Sequence, residues 1–281
     1  MTNFFAIVGP TGIGKTSLSI KLAKKLNSEI IGLDSRQIYK MIPIGTAQPS
    51  EKDLKTVKHH LIGIKDLHES IPAGEFIKLV DNKIAKILEK NKTPIICGGT
   101  GLYLKSLVDG IFIGSKTDTN IRTDIEKEYD NGNSEKLYKE LISIDPEYSK
   151  KVHPNNKRRL VRALEIYKIT GKNMTENFKS ENKKSNFHSH IQTAYLRMSR
   201  KSLESIIHQR TLSMIENGMI EEVQYIKDNK YNIDHIDYIG FSEISSYLEK
   251  KMSKEDVIEK IHIRTRPVSY THLTLPTILP V

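Results

Sequence analysis

The stretch FFAIVGPTGIGKTSLS, residues 4–19, opens with five apolar residues, Phe4 to Val8, and breaks at Gly9. A continuous apolar run of that length, ended by glycine, reads as a buried strand. From Thr16 to Leu26 the leucines Leu18, Leu22 and Leu26 recur every four residues and mark one face of a helix. Between the two lie Gly9-Pro10-Thr11-Gly12-Ile13-Gly14-Lys15-Thr16, a fit to G-x-x-x-x-G-K-[ST] in the strand–loop–helix setting its mechanism needs. Glycines let backbone N–H groups turn inward around an anion, and the helix N-terminus adds positive potential. Lys15 supplies a mobile charge, and the Thr16 hydroxyl can ligate Mg²⁺. Oligophosphate binding follows. Which oligophosphate does not, and on this motif alone a nucleotide-binding, ATP-consuming kinase or ATPase remains open.

Working outward, Ile30 to Leu33 is a second apolar strand that stops at Asp34. Phe76, Val80, Ile84, Ile87 and Leu88 share a helical face, and Pro94 to Cys97 makes a third strand ending in Gly98-Gly99. Uniformly apolar strands alternating with helices predict an α/β, P-loop NTPase-like parallel sheet flanked by helices. From about Lys116 the strand signals vanish and charge density rises. Helices near 121–130, 134–144 and 156–170, punctuated by Asn131-Gly132-Asn133 and Asp145-Pro146, predict an all-helical insertion domain over 116–189. The catalytic core would occupy 1–115 and return over 190–266, with a strand from Thr193 to Met198 and helices near 200–217, 219–229 and 240–250. Residues 267–281 stand apart as an atypical tail.

Lys and Arg outnumber Asp and Glu by 44 to 34, a net charge of +10 that favours a polyanionic partner, nucleic acid first. The single cysteine, Cys97, excludes an intramolecular disulfide and a cysteine-based zinc site. The first apolar run is too short for a signal peptide or a membrane span, so a cytoplasmic protein without a membrane partner is expected.

P-loop kinases and ATPases hold Mg²⁺ with a further Asp at the end of another apolar strand. Here the third strand ends in Gly98-Gly99 without an acid, and the acid instead follows the second strand in Asp34-Ser35-Arg36-Gln37. At the carboxyl ends of a parallel sheet Asp34 shares a crevice with the phosphate loop. There it can accept a proton from a nucleophile that attacks a group attached to the bound phosphate. Alternatively it caps the segment that follows.

The chain resembles the tRNA dimethylallyltransferase (tRNA isopentenyltransferase) family over residues 4–266. The resemblance is carried by GPTGIGKT (9–16), DSRQIYKMIPIGTAQP (34–49), HHLIGIKDLHESIPAGEF (59–76), GGTGLYLKSL (98–107), HPNNKRRLVRALEIYKITGK (153–172), MIENGMIEEV (214–223), YIGFSEISSYL (238–248) and Thr265-Arg266. It implies transfer of a dimethylallyl group from dimethylallyl diphosphate to N6 of the adenosine 3′-adjacent to the anticodon, flipped from its loop in the anticodon stem-loop of tRNA. The enzyme is expected to act as a monomer. Residue by residue, Asp34 matches the general base, and Lys15 and Thr16, with Mg²⁺, match the groups that neutralise the departing diphosphate. The diphosphate site would span Gly9, Pro10, Thr11, Gly12, Ile13, Gly14, Lys15 and Thr16. Asp34, Ser35, Arg36 and Gln37 match the segment holding the flipped adenosine, and Thr100 a channel-wall contact. Arg122 and the run Arg158, Arg159, Leu160, Val161 and Arg162 match tRNA contacts.

Spacing agrees on the last run, since Arg158 and Arg159 lie four and three residues from Arg162 on one helix face, opposite Leu160, Leu164 and Tyr167. A solvated surface face is the alternative. His59-His60 reads as structural, Cys97 as buried filler, and Glu221-Glu222 as solvated surface beside the apolar Met219 and Val223. Two departures stand out. Ile206 occupies a position, four before Arg210, where the family has an arginine in a helix whose arginines reach the diphosphate, so either Arg210 or Arg200 substitutes or the diphosphate is bound with one charge fewer. After Arg266 a basic, Trp-containing segment gives way to PVSYTHLTLPTILPV, which looks like an out-of-frame or adapter-derived ending. Pro267, Pro276 and Pro280 are expected to prevent a continuous helix there.

Overall fold

The computed structural model describes residues 3–99, 101–112, 118–180, 182–233, 235–236 and 238–271. In chain order the elements are β1 (Phe4–Val8), α1 (Lys15–Lys25), β2 (Glu29–Gly32), α2 (Glu51–Thr56), β3 (His59–His60), α3 (Ala73–Leu88), β4 (Pro94–Gly98), α4 (Gly101–Val108) and β5 (Ile111–Phe112). There follow α5 (Thr119–Glu128), α6 (Ser134–Ile144), α7 (Pro146–Ser149), α8 (Lys157–Thr170), α9 (Met174–Ser180), β6 (Asn182–Lys183), β7 (Ile191–Tyr195), α10 (Arg200–Glu216), α11 (Met219–Asp228), α12 (Phe241–Leu248) and α13 (Lys254–Thr271).

The chain divides into two compact units, residues 1–108 with 185–281, and residues 109–184. The first is built on a five-stranded sheet in the order β3-β2-β4-β1-β7, every pair parallel. A parallel sheet has its strands buried under helices on both faces, which is why β1, β2 and β4 are almost continuously apolar. Residues Phe76, Val80, Ile84 and Ile87 of α3 are fully buried, as the period of that segment predicts. Register places Val8 beside Gly98 and Gly32 beside Cys97, so the ends of β1, β2 and β4 open on one edge. That edge carries the phosphate loop, Asp34 and Gly98-Gly99.

Helix α1 departs from its expected face. Ser19, Ile20 and Ala23 are buried, Leu18 and Leu22 pack at the margin, and Leu26 is exposed. A strict four-residue repeat advances about 40° too far per step on a 3.6-residue helix, so three leucines spiral off the core stripe. The two-residue β3 lacked any strand signal. His60 instead gives its Nε2 to a 2.7 Å contact with buried Glu29, which Lys90 and Lys92 also approach, and His59 contacts its neighbour Val57 O, so both histidines are structural.

The second unit packs Ile125, Leu137, Leu141, Leu160, Val161 and Leu164 into a core of its own. Among its described residues the regular structure is helical apart from an antiparallel ladder of two residues a side, Ile111–Phe112 with Asn182–Lys183. At the C-terminus, α13 runs through Pro267 to Thr271, against the expectation that the prolines would stop it. One proline removes a single donor, and the helix before it is anchored by buried Val257 and Ile261. Residues 272–281, with Pro276 and Pro280, lie outside the described residues. Among the described residues no helix is long and apolar enough to cross a membrane.

Candidate active site

At the carboxyl edge of the sheet the loop after β1 wraps a cavity of about 620 Å³. Gly12 and Gly14 hold φ of +85° and +91°, the left-handed region only glycine enters without strain, and Gly14 caps α1. That geometry turns the loop back over the helix N-terminus. Thr11, Gly12, Gly14, Lys15 and Thr16 line the cavity with Asp34, Gln37, Cys97, Gly98, Gly99 and Arg210. Gly9 and Pro10 contribute carbonyls, to which the Lys15 ammonium donates at 2.9 and 2.7 Å. Burial brings the Lys15 pKa down from 10.5 to about 8, offset in part by the charge of Asp34. Arg210 is likewise pulled down by burial and held up by Asp34. Two desolvated cations, Lys15 and Arg210, thus share the cavity with the carboxylate of Asp34, and Lys21, Lys24 and Asp53 also line it.

Asp34 caps the segment that follows it and also borders the cavity. Its Oδ1 accepts the backbone N–H groups of Arg36 at 2.9 Å and Gln37 at 3.4 Å, a local cap on the turn after β2. Among the described residues no hydrogen bond reaches its Oδ2, and Asp34 lines both the phosphate cavity and a smaller neighbouring one. The smaller cavity has a mixed lining, Ile207, Met214, Ile239 and Ile261 together with Thr11, Arg36, Gly45, Thr46, Arg210, Thr211 and Thr265. Gln37 lines the large cavity, but both hydrogens of its amide are spent on Thr46 O (3.2 Å) and Ala47 O (2.7 Å), so its nitrogen holds a loop. Ser35 sits on the same turn, and Thr100 lies outside the described residues.

The departure at Ile206 has a structural consequence. Ile206 and Arg210, one turn apart on α10, both line the phosphate cavity, and a Cβ at Gly12 would meet Ile206 Cγ2 at 3.0 Å. Arg210 is therefore the α10 cation on the cavity, while Arg200 is an exposed partner of Glu204. Cys97 is not simple filler. It borders the cavity beside Thr16, and burial pushes its thiol up, away from thiolate.

Two further expectations are corrected. Leu160 and Val161 are buried in the second unit's core, so their side chains are closed to RNA, while Arg158 and Arg159 beside them are exposed. The hydrophobic stripe of α8 claims those positions. Arg122 and Arg162 converge at 2.8 Å on a single oxygen of fully buried Glu165. Second, Glu222 is buried, not solvated: its carboxylate accepts Ile44 N–H and Gly45 N–H at 2.8 Å and the Tyr238 hydroxyl at 2.7 Å. Burial raises its pKa against the pull of those three donors.

Among the described residues no group of three or more His, Cys, Asp or Glu could hold a metal ion. The donor set at the cavity is the Thr16 hydroxyl and the carboxylates of Asp34 and Asp53, the latter engaged in the capping box of α2. Such a sparse oxygen set fits Mg²⁺, which is commonly bound by one or two protein oxygens together with substrate phosphates and water.

The profile of a family described as IPP transferase matches residues 37–269. A tRNA dimethylallyltransferase of Petrotoga mobilis is 39% identical over 95% of this chain and 88% of its own length. The protein of that name from Bacillus subtilis is 37% identical over 95% and 85%. Among solved structures, the tRNA isopentenylpyrophosphate transferase of Bacillus halodurans aligns with a TM-score of 0.69 and 32% identity, covering 100% of this chain and 90% of that one. A eukaryotic dimethylallyltransferase acting on tRNA aligns at 0.79 and 30%, covering 97% and 69%. The chain belongs to the IPP transferase family.

Proposed function

We propose that this family member transfers a dimethylallyl group from dimethylallyl diphosphate to N6 of the adenosine 3′-adjacent to the anticodon in tRNA. The observation that supports it most is Asp34, a carboxylate whose Oδ2 no described residue bonds, on the wall shared by a phosphate cradle and a smaller cavity with an aliphatic patch. The loop N–H groups, Lys15 and Arg210 would bind the diphosphate, and Ile207, Met214, Ile239 and Ile261 suit the five-carbon chain. As the C–O bond to the diphosphate breaks and the C–N6 bond forms, the amine loses a proton to Asp34, and negative charge grows on the leaving group where the cations stand. Mg²⁺ bound through Thr16 and the diphosphate would add charge neutralisation to the same leaving group. Arg158, Arg159 and, with Glu165 behind them, Arg122 and Arg162 supply guanidiniums of the kind that hold RNA phosphates. The enzyme is expected to work as a cytoplasmic monomer on the anticodon stem-loop.

Incubation with dimethylallyl diphosphate labelled in the alkyl chain, or with γ-labelled ATP, with and without tRNA, tests the proposal. Label should pass from the prenyl donor to tRNA adenosine and nowhere else. Transfer of the ATP phosphate to a small acceptor, with no prenylated tRNA, would make the chain a kinase.

A further inference from the structure

The loop of residues 42–48 joins the two cavities: Gly45 and Thr46 border the smaller, Thr46 and Ala47 the larger. It is held from two sides. Gln37 takes the carbonyls of Thr46 and Ala47, and Glu222, from α11, takes the amides of Ile44 and Gly45, one on each carboxylate oxygen. Tyr238 completes the grip, giving its hydroxyl to Glu222 Oε1 while its ring lies where a Gly45 side chain would be, 2.0 Å from an added Cβ. A buried carboxylate is costly unless its lone pairs are filled, and here three donors converge on it. Hydrophobic contact could have covered this loop at less expense. An anion aimed at two successive amides instead fixes the orientation of the peptide planes, and with them the cavity wall that faces Asp34.

We infer that Glu222 is a positioning residue for the transfer reaction proposed above: through the Ile44 and Gly45 amides it sets the wall against which the reacting groups meet Asp34. Displacement of such a wall by about 1 Å is enough to cost a reaction on the order of 10²-fold. Binding of the diphosphate depends on Lys15 and the loop after β1, which Glu222 does not touch, so binding and turnover should separate.

The test uses the full chain with Glu222→Ala, Glu222→Gln and Tyr238→Phe. Prenyl transfer to tRNA, the Kd for inorganic pyrophosphate, and hydrogen exchange of the 42–48 segment are measured on each. Glu222→Ala should lower kcat at least tenfold, leave the pyrophosphate Kd within about threefold, and expose the Ile44 and Gly45 amides to exchange. Glu222→Gln, whose amide keeps one acceptor oxygen for two N–H donors, should fall between, and Tyr238→Phe should shift the same way less strongly. A folded Glu222→Ala chain with normal kcat overturns the inference, as does a pyrophosphate affinity that falls in step with kcat, the mark of general collapse. If Glu222→Ala does not fold, normal kcat in both milder variants overturns it. A wild-type chain that transfers nothing would count against the proposed function, while unchanged exchange in the variants would count against the latch itself.

Discussion

Replacing Asp34 by Asn isolates its two roles. The amide keeps an Oδ1 to accept the Arg36 and Gln37 N–H groups, so the turn after β2 survives. What changes is Oδ2, which no described residue bonds and which becomes an NH₂ unable to accept a proton. Loss of a positioned general base costs on the order of 10²–10⁴ in rate, or about 2.7–5.4 kcal/mol of barrier. The nearby Lys15 and Arg210 lose a counter-charge, which favours an anion in the cavity, so pyrophosphate should bind as well as before or better. Asp34→Ala removes the turn acceptor as well and should cost a further ~1 kcal/mol of folding stability, the worth of a cap, which Asp34→Asn should not. Single-turnover transfer at saturating donor and tRNA, with thermal melts of both variants, measures each part. Turnover of Asp34→Asn within about threefold of wild type would leave Asp34 as a turn cap and nothing more.

Lys15→Ala should abolish transfer while tRNA binding survives; equal loss of both would refute the separation of sites. Because burial holds Lys15 near 8, the ammonium is lost as pH rises through that value, so pyrophosphate affinity should fall above about pH 8 in wild type and lose this dependence in Lys15→Ala. Titrations across pH 7–9.5 on both proteins, which share the ligand's own ionisation, check the difference. Removing Arg158 and Arg162 together should flatten the salt dependence of tRNA binding by up to ~2 in slope, and an unchanged slope would return the run to a solvated face. Ile206→Arg should lower KM for the prenyl donor by about tenfold, the worth of one charge-assisted hydrogen bond, and a higher KM would mean that the packing of Ile206 on Gly12 matters more.

The fold was legible wherever the pattern was local and long. β1, β2 and β4 are apolar runs ended by glycine or aspartate, and α3 repeats over four turns, so hydrophobic period alone located them. β3 is two histidines, too short to show any period, and exists because β2 offers it a parallel edge. β7 is half-exposed at the other edge of the sheet, which blurs the continuous apolar signal of a buried strand. Pro267 misled for a related reason: propensity ranks a proline within the helix as unfavourable, but buried contacts of the preceding turns decide whether the helix tolerates it.

The site divides along the same line. The phosphate loop is contiguous, and Asp34 follows from where a strand ends, so both could be read from neighbouring letters. Glu222 shows what adjacency conceals. On a helix at about 100° per residue, Met219, Val223 and Ile226 fall within about 60° of arc, and Glu222 lies only about 40° beyond Ile226, while Glu221 points to the far side. The pair Glu221-Glu222 is therefore two different environments, and the second is a carboxylate on the margin of an apolar stripe. Physical chemistry requires donors for a charge buried there. The angular position announces that need, but the donors are the amides of Ile44 and Gly45, nearly 180 residues earlier. Only the fold, by laying α11 against the loop after Asp34, could say that a charge apparently placed for solvent holds the wall of the site.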